Sequence, residues 1–121
     1  MDKVTTEKRG RSERGFGLIE FEDSKKKGCR ISCSSAIGPY EDSFDRPGSS
    51  FLWLGPTKVV PKIMANHAKK LGIQTDETTG WIEFSVPKEV FIDSSMHLNR
   101  DQVKQLIGHL QEWLNNGEFK Q

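Results

Sequence analysis

The segment from Ser95 to Gly117 constrains the fold more than any other part of this 121-residue chain. Asn99 is a favourable N-cap residue, and Gln102, three residues later, has the spacing of a capping box. Gly117 is suited to the left-handed conformation that ends a helix. Apolar residues recur between them at every third or fourth position, namely Val103, Leu106, Ile107, Leu110, Trp113 and Leu114. The segment predicts one amphipathic helix over residues 99–115 whose apolar stripe lies on a sheet.

The residues before this helix predict strands, because they alternate apolar and polar side chains or form short apolar runs bounded by Gly and Pro. Residues 15–23 and 28–33 predict a hairpin, and residues 51–54 predict a central strand buried on both faces. An edge strand and a short helix are expected before Gly72, and further strands over residues 81–86 and 89–96. Strands followed by a terminal helix are typical of the α+β class. We therefore expect an antiparallel β-sheet of about five to six strands, with a short middle helix and a C-terminal amphipathic helix packed on it.

The domain organisation follows from length and local composition. Residues 1–14 are polar and charged, so we expect a flexible basic tail, and residues 15–121 suffice for a single α+β domain. Residues 36–50 contain two prolines and two glycines and predict a long loop. Loops of this length often carry function, and this one suits either a lid or an interface.

The charge balance excludes several broad functions. The chain carries 18 basic and 17 acidic residues, a net charge of +1, so its overall charge does not favour binding of nucleic acid. It shows no apolar run long enough to span a membrane and no export signal, which predicts a cytoplasmic protein with no membrane partner.

Cys29 and Cys33 are four positions apart and lie on one face of a predicted strand. Their Cα atoms are then about 13 Å apart, which is too far for a disulfide between them. They are expected to be reduced core residues.

Motifs for catalysis and cofactor binding are absent from the sequence. There is no Gly-x-Ser-x-Gly, no His-Glu-x-x-His and no phosphate-binding loop, and residues 14–17 lack the third glycine of a dinucleotide fingerprint. We therefore expect a protein that is not an enzyme, with no catalytic residues, no cofactor and no metal.

The start of the C-terminal helix is the candidate binding site for an anion. Its first amides and dipole end coincide with the cap residue Asn99, with Arg100 in the first turn and with His97 just before it. Such a combination suits a phosphate or carboxylate. The alternative is a His packed at the corner between strand and helix, beside an Arg in solvent.

Other polar and aromatic residues are candidates for contacts with the part of the ligand beyond its anionic group. Trp81 follows Thr78 and Thr79, and alternation turns it away from the core, so it suits stacking on a base, unless the long loop covers it. Tyr40 in that loop is a second candidate for stacking. Arg30 lies on the polar side of its strand, as a solvated residue or as part of a cleft wall.

Several segments resemble one group of proteins. Residues 96–103 (Met-His-Leu-Asn-Arg-Asp-Gln-Val), residues 53–55 (Trp-Leu-Gly), residues 77–81 (Glu-Thr-Thr-Gly-Trp) and the closing residues 117–119 are similar to those of small uncharacterised accessory proteins of tailed bacteriophages. The resemblance extends from about residue 16 to residue 119. That group carries Arg where this chain has Ser95, so one cationic side chain of the group is missing. The resemblance implies a phage protein made in the cytoplasm of a bacterial host.

Small non-catalytic phage proteins commonly counter host defence, which by analogy suggests a function. The first hypothesis is a protein that binds and sequesters a nucleotide-derived immune signal, a small anionic ligand. The alternatives are a protein-binding inhibitor of a host defence protein and a single-stranded nucleic-acid-binding protein. We also expect a homo-oligomer, a dimer or higher, because the apolar strand and aromatic loop leave surface that one helix scarcely covers.

Overall fold

The computed structural model describes residues 7–38 and 48–121 and confirms the α+β class. The chain divides into two compact units. Unit 1 contains Met1–Thr57 and Ser95–Gln121, and unit 2 contains Lys58–Ser94.

Unit 1 is built on a five-stranded antiparallel sheet with the strand order β1-β2-β3-β4-β7. The strands are β1 (Lys8–Arg11), β2 (Gly17–Glu22), β3 (Gly28–Cys33), β4 (Phe51–Pro56) and β7 (Met96–Asn99). Strand β4 is an interior strand, as its apolar run predicts, because it pairs with β3 on one side and β7 on the other. Its residues are partly exposed, so the expected burial on both faces is not observed.

Strand β1 lies within the segment that the composition predicted to be a flexible tail. Its four exposed residues pair antiparallel with β2, which makes β1 an edge strand. Backbone pairing needs no apolar side chain, and charged residues are common on exposed edges because they discourage further pairing. Residues 1–6 of the predicted tail lie outside the described residues.

The hairpin formed by β2 and β3 confirms the prediction for this part of the chain. Its turn is held by Asp23, whose Oδ1 accepts hydrogen bonds from the amides of Lys25 at 2.9 Å and Lys27 at 2.8 Å. Lys26 adopts a φ of 63°, a left-handed conformation that the turn requires. The side-chain bonds of Asp23 therefore order the connection between the two strands.

Stability is expected to depend on the ionisation of Asp23 at acidic pH. The hydrogen bond from the Lys27 amide is the main reason that the pKa of the Asp23 carboxyl lies below its ordinary value of 3.8. A lowered folded-state pKa adds stability above the unfolded-state pKa, and that stability is lost as the pH falls through the folded-state pKa. Thermal unfolding between pH 5 and pH 2 should therefore depend less steeply on pH in Asp23→Asn than in the natural protein. Equal slopes would contradict this role.

The two faces of the sheet differ in composition. The register aligns Ile19, Ile31, Leu54 and Met96 across four strands on one face. We call this the apolar sheet face; its members are Ile19, Phe21, Cys29, Ile31, Cys33, Leu52, Leu54, Met96 and Leu98. Both cysteines are free and lie on this face, as their spacing predicts. The opposite face, which carries Trp53 and His97, is called the mixed sheet face.

Helix α1 (Arg100–Asn116) has the boundaries that its end signals predict to within one residue. Asn99 and Gln102 form the capping box, and Gly117 ends the helix with a φ of 69°. The packing differs from the prediction, because no residue of α1 is fully buried and much of the apolar stripe is exposed. The helix begins directly at the end of β7, the strand that it approaches most closely. Its second half therefore does not lie on the sheet.

Unit 2 contains a second, two-stranded sheet and a short helix. Strand β5 (Lys62–Met64) pairs antiparallel with β6 (Trp81–Glu83), and the 3₁₀ helix Ala65–Leu71 is the short middle helix. Within the described ranges, the buried apolar side chains are Ala65 and Ala68 of this helix. The strand expected over residues 89–96 is not formed, since β7 begins at Met96. None of the helices described is long and apolar enough to cross a membrane.

Candidate functional site

A groove of unit 1 lies between the first half of α1 and the neighbouring strands β4 and β7. Its volume is about 520 Å³. Leu52 and Leu98 from the strands and Val103 and Ile107 from the helix give it apolar walls. Its polar lining includes Ser49, Ser50, Asn99, Arg100 and Lys104. The groove therefore combines apolar surface with two cationic side chains.

Arg100 lines this groove and also holds the backbone beside it. Its Nε and Nη2 donate hydrogen bonds to the carbonyl oxygen of Ser49 at 3.2 Å and 2.9 Å. The side chain is therefore positioned by the protein rather than free in solvent. Two of its N–H groups are thus used on Ser49, and the side chain also lines the groove.

Asn99 performs the capping role that the sequence predicts. Its Oδ1 accepts from the Gln102 amide at 2.8 Å, and Gln102 Oε1 accepts from the Asn99 amide at 2.9 Å. These bonds satisfy one amide of the first helical turn and one at the cap. A ligand at this helix terminus would therefore find fewer available amides than the sequence-based hypothesis assumed.

Lys104 is a residue of the groove that the sequence-based hypothesis missed. It follows Arg100 by four positions, so both side chains lie on the same side of α1, one turn apart. In the described parts of the chain, Lys104 takes part in no ion pair or side-chain hydrogen bond. The spacing of four positions between Arg100 and Lys104 is the sequence signal from which Lys104 could have been identified.

His97 does not join Arg100 in the groove. It is adjacent to Leu98 on β7, and because neighbouring strand residues point to opposite faces, His97 lies on the mixed sheet face. Its ring stacks on Phe51 at 4.9 Å and is tilted against Trp53 at 4.2 Å. Its Nε2 is 2.8 Å from Ser34 Oγ. The packed alternative for this His is the one that the geometry favours.

The remaining predicted site residues are distributed over the chain. Trp81, Thr78 and Thr79 belong to unit 2, and Trp81 is 66% exposed, as the alternation predicts. Thr78 lines a separate cavity of unit 2 beside the 3₁₀ helix. Arg30 is exposed on the mixed sheet face, in register with Glu20 and Gly55. Tyr40 lies outside the described residues, as does most of the predicted loop over residues 36–50.

Comparison of the chain with protein-family models, with curated proteins and with solved structures gives no match. Across residues 7–38 and 48–121, no group of three or more His, Cys, Asp or Glu side chains is arranged to hold a metal ion.

Proposed function

We propose that the protein is a non-catalytic binding protein whose groove takes up a small anionic ligand of the nucleotide type. The observation that supports this proposal is the pairing of an apolar groove with Arg100 and Lys104 at its edge. A volume of about 520 Å³ falls within the range of sites for small molecules, which are mostly apolar with a few placed polar groups. A nucleotide offers the matching chemistry, with a ring for the apolar walls and phosphates for the cationic side chains.

The electrostatics of α1 favour an anion at this end of the groove. Arg100 is the first residue of the helix, where the helix dipole is positive, and Lys104 follows about one turn later. Asp101 in the first turn opposes this field, so the attraction rests chiefly on Lys104, which takes part in no ion pair within the described residues. A charge-assisted hydrogen bond contributes about 1.5–3 kcal/mol.

The biological role that we propose is sequestration. The resemblance to phage accessory proteins suggests a protein that counters host defence in the bacterial cytoplasm, and binding without turnover would withdraw a nucleotide-derived immune signal. The ligand is then expected to be recovered unchanged after release.

The proposal is tested by calorimetry with a panel of cyclic dinucleotides and ADP-ribose-type nucleotides. Lys104→Ala is expected to weaken binding of the best compound by about tenfold to a hundredfold, the effect of losing one charge-assisted bond. Lys88→Ala is the control, since this lysine is exposed and is not among the residues that line the groove. Arg100 is a less suitable target, because its removal also releases the Ser49 carbonyl.

Three outcomes would overturn the proposal. They are that no compound binds more tightly than millimolar, that Lys104→Ala binds the best compound as well as Lys88→Ala does, and that the bound compound is recovered cleaved. The first outcome would favour an inhibitor that binds a host protein, and the last would indicate an enzyme.

A further inference from the structure

The groove beside α1 offers little positive charge for the amount of apolar surface that lines it. Arg100 is committed to the protein, since its Nε and Nη2 donate to the carbonyl oxygen of Ser49. Lys104 is the other cationic side chain of the lining, and within residues 7–38 and 48–121 it takes part in no ion pair or side-chain hydrogen bond. Asp101 adds a negative charge in the first turn of the helix. The groove therefore matches a ligand that carries a single negative charge.

The part of the groove beyond Lys104 is apolar. The helix contributes Ile107 there, and the strands contribute Leu52 and Leu98. A phosphate placed against these side chains would lose its hydration without gaining a partner, and an unpaired buried charge is costly. A second phosphate on the ligand therefore either stays in solvent or weakens binding.

The size of the groove agrees with this limit on charge. Its volume of about 520 Å³ lies in the lower half of the range of roughly 300–1,000 Å³ that is usual for small-molecule sites. One base with its sugar and phosphate supplies a ring for the apolar walls and one charge for Lys104. A dinucleotide is twice as large and brings a second charge, for which the lining has no matching group.

We propose that the nucleotide ligand, whose existence rests on the proposed function, is recognised as a single unit with one phosphodiester charge. The phosphate lies at Lys104, toward the start of α1, and the ring lies against Leu52, Leu98 and Ile107. The second unit of a cyclic dinucleotide then remains in solvent and contributes little to the affinity. A cyclic mononucleotide is therefore a complete ligand.

Calorimetry with the cyclic mononucleotides and the cyclic dinucleotides of adenosine and guanosine tests this inference. For each base, the two compounds share the same phosphodiester chemistry and differ in the number of units. For the base that binds better, the two dissociation constants are expected to agree within about threefold, of which a factor of about two reflects the two equivalent units of the dinucleotide. A dinucleotide that binds more tightly by about tenfold or more would show that its second unit is recognised, and would overturn the inference.

The limit on charge is tested by adding a second cation to the apolar part of the groove. Ile107 lines the groove, is 62% exposed and follows Lys104 by three positions, so Ile107→Lys places its charge beside Lys104 at an exposed position of the helix. The variant should raise the preference for the dinucleotide over the mononucleotide by about tenfold, because the second phosphate gains a charge-assisted bond. The loss of the Ile107 side chain affects both ligands and cancels in this ratio.

Leu114→Lys is the matched control for the added charge. Leu114 belongs to the same stripe of α1 and is 69% exposed, but it is not among the residues that line the groove. Its replacement should leave the preference between the two ligands unchanged. Equal preferences in Ile107→Lys and Leu114→Lys would show that charge does not limit the ligand of the groove, and would contradict the inference.

Failure of this inference is distinguishable from failure of the proposed function. If the natural protein binds dinucleotides or ADP-ribose-type nucleotides but no cyclic mononucleotide, the groove recognises more than one phosphate; the single-unit ligand is then wrong and the nucleotide-binding function stands. If no compound of any of these classes binds more tightly than millimolar, the proposed function fails and the single-unit ligand fails with it.

Discussion

Gly55→Ala is expected to destabilise unit 1 by about 3 kcal/mol, near the upper end of the usual cost of overpacking. A Cβ at this position would lie 2.8 Å from the Cα and 2.8 Å from the Oγ of Ser95. Since one of these atoms belongs to the backbone, a side-chain rotation cannot relieve the contact. Strand β4 or the entry into β7 has to move, which disturbs the pairing from which α1 begins. At about 4–8 °C for each kcal/mol, the Tm in a thermal unfolding experiment should fall by more than about 10 °C.

Gly10→Ala is the matched control for this substitution. Gly10 also lies in a strand of the same sheet, its φ is not positive, and a Cβ there would meet no atom within 4 Å. Its replacement should change the stability by no more than about 1 kcal/mol, and Ala has the lower entropy cost on folding. A Gly55→Ala protein as stable as Gly10→Ala would show that Ser95 yields easily and that the close approach is not required.

The helix and the hairpin were predictable from the sequence because their signals are local. Asn99, Gln102 and Gly117 act within one turn of the ends of α1, so their spacing alone predicts where the helix begins and ends. The turn at Asp23 is likewise formed by residues within four positions of each other. In these places the sequence neighbours are also the structural neighbours.

Strand β1 and the packing of α1 were not predictable, because they depend on distant partners. The residues of β1 have a composition typical of disorder, and they are ordered by backbone pairing with β2. The stripe of α1 predicts that the helix has an apolar partner, but periodicity does not identify which surface provides it.

The candidate site was predictable only in part. Arg100 and Asn99 both line the groove, and the spacing between Arg100 and Lys104 indicates a shared side of the helix. His97 is three residues from Arg100, and this proximity in sequence suggested a joint site. His97 is nevertheless not among the residues that line the groove, and alternation along β7 turns it to the face opposite Leu98. Trp81 is exposed as predicted, but it belongs to unit 2.

His97→Ala distinguishes a packing role of this residue from the anion-binding role that the sequence suggested. The ring contacts both Phe51 and Trp53, and each aromatic contact contributes about 0.5–1.5 kcal/mol. The bond to Ser34 Oγ adds about 1 kcal/mol, while the exposure of His97 itself reduces the value of its contacts. The expected loss in the free energy of unfolding is about 1–2 kcal/mol, measured by denaturant titration.

The ligand affinity of the same variant decides between the two roles. Because His97 is not among the residues that line the groove, the affinity of His97→Ala for the best nucleotide should stay within about twofold of the natural protein, under conditions where both are folded. His109→Ala is the control for the loss of a histidine, since His109 is exposed on α1. A tenfold loss of affinity in His97→Ala alone would place the ligand on the mixed sheet face. A loss of stability without a loss of affinity would instead assign His97 to the packing between β4 and β7.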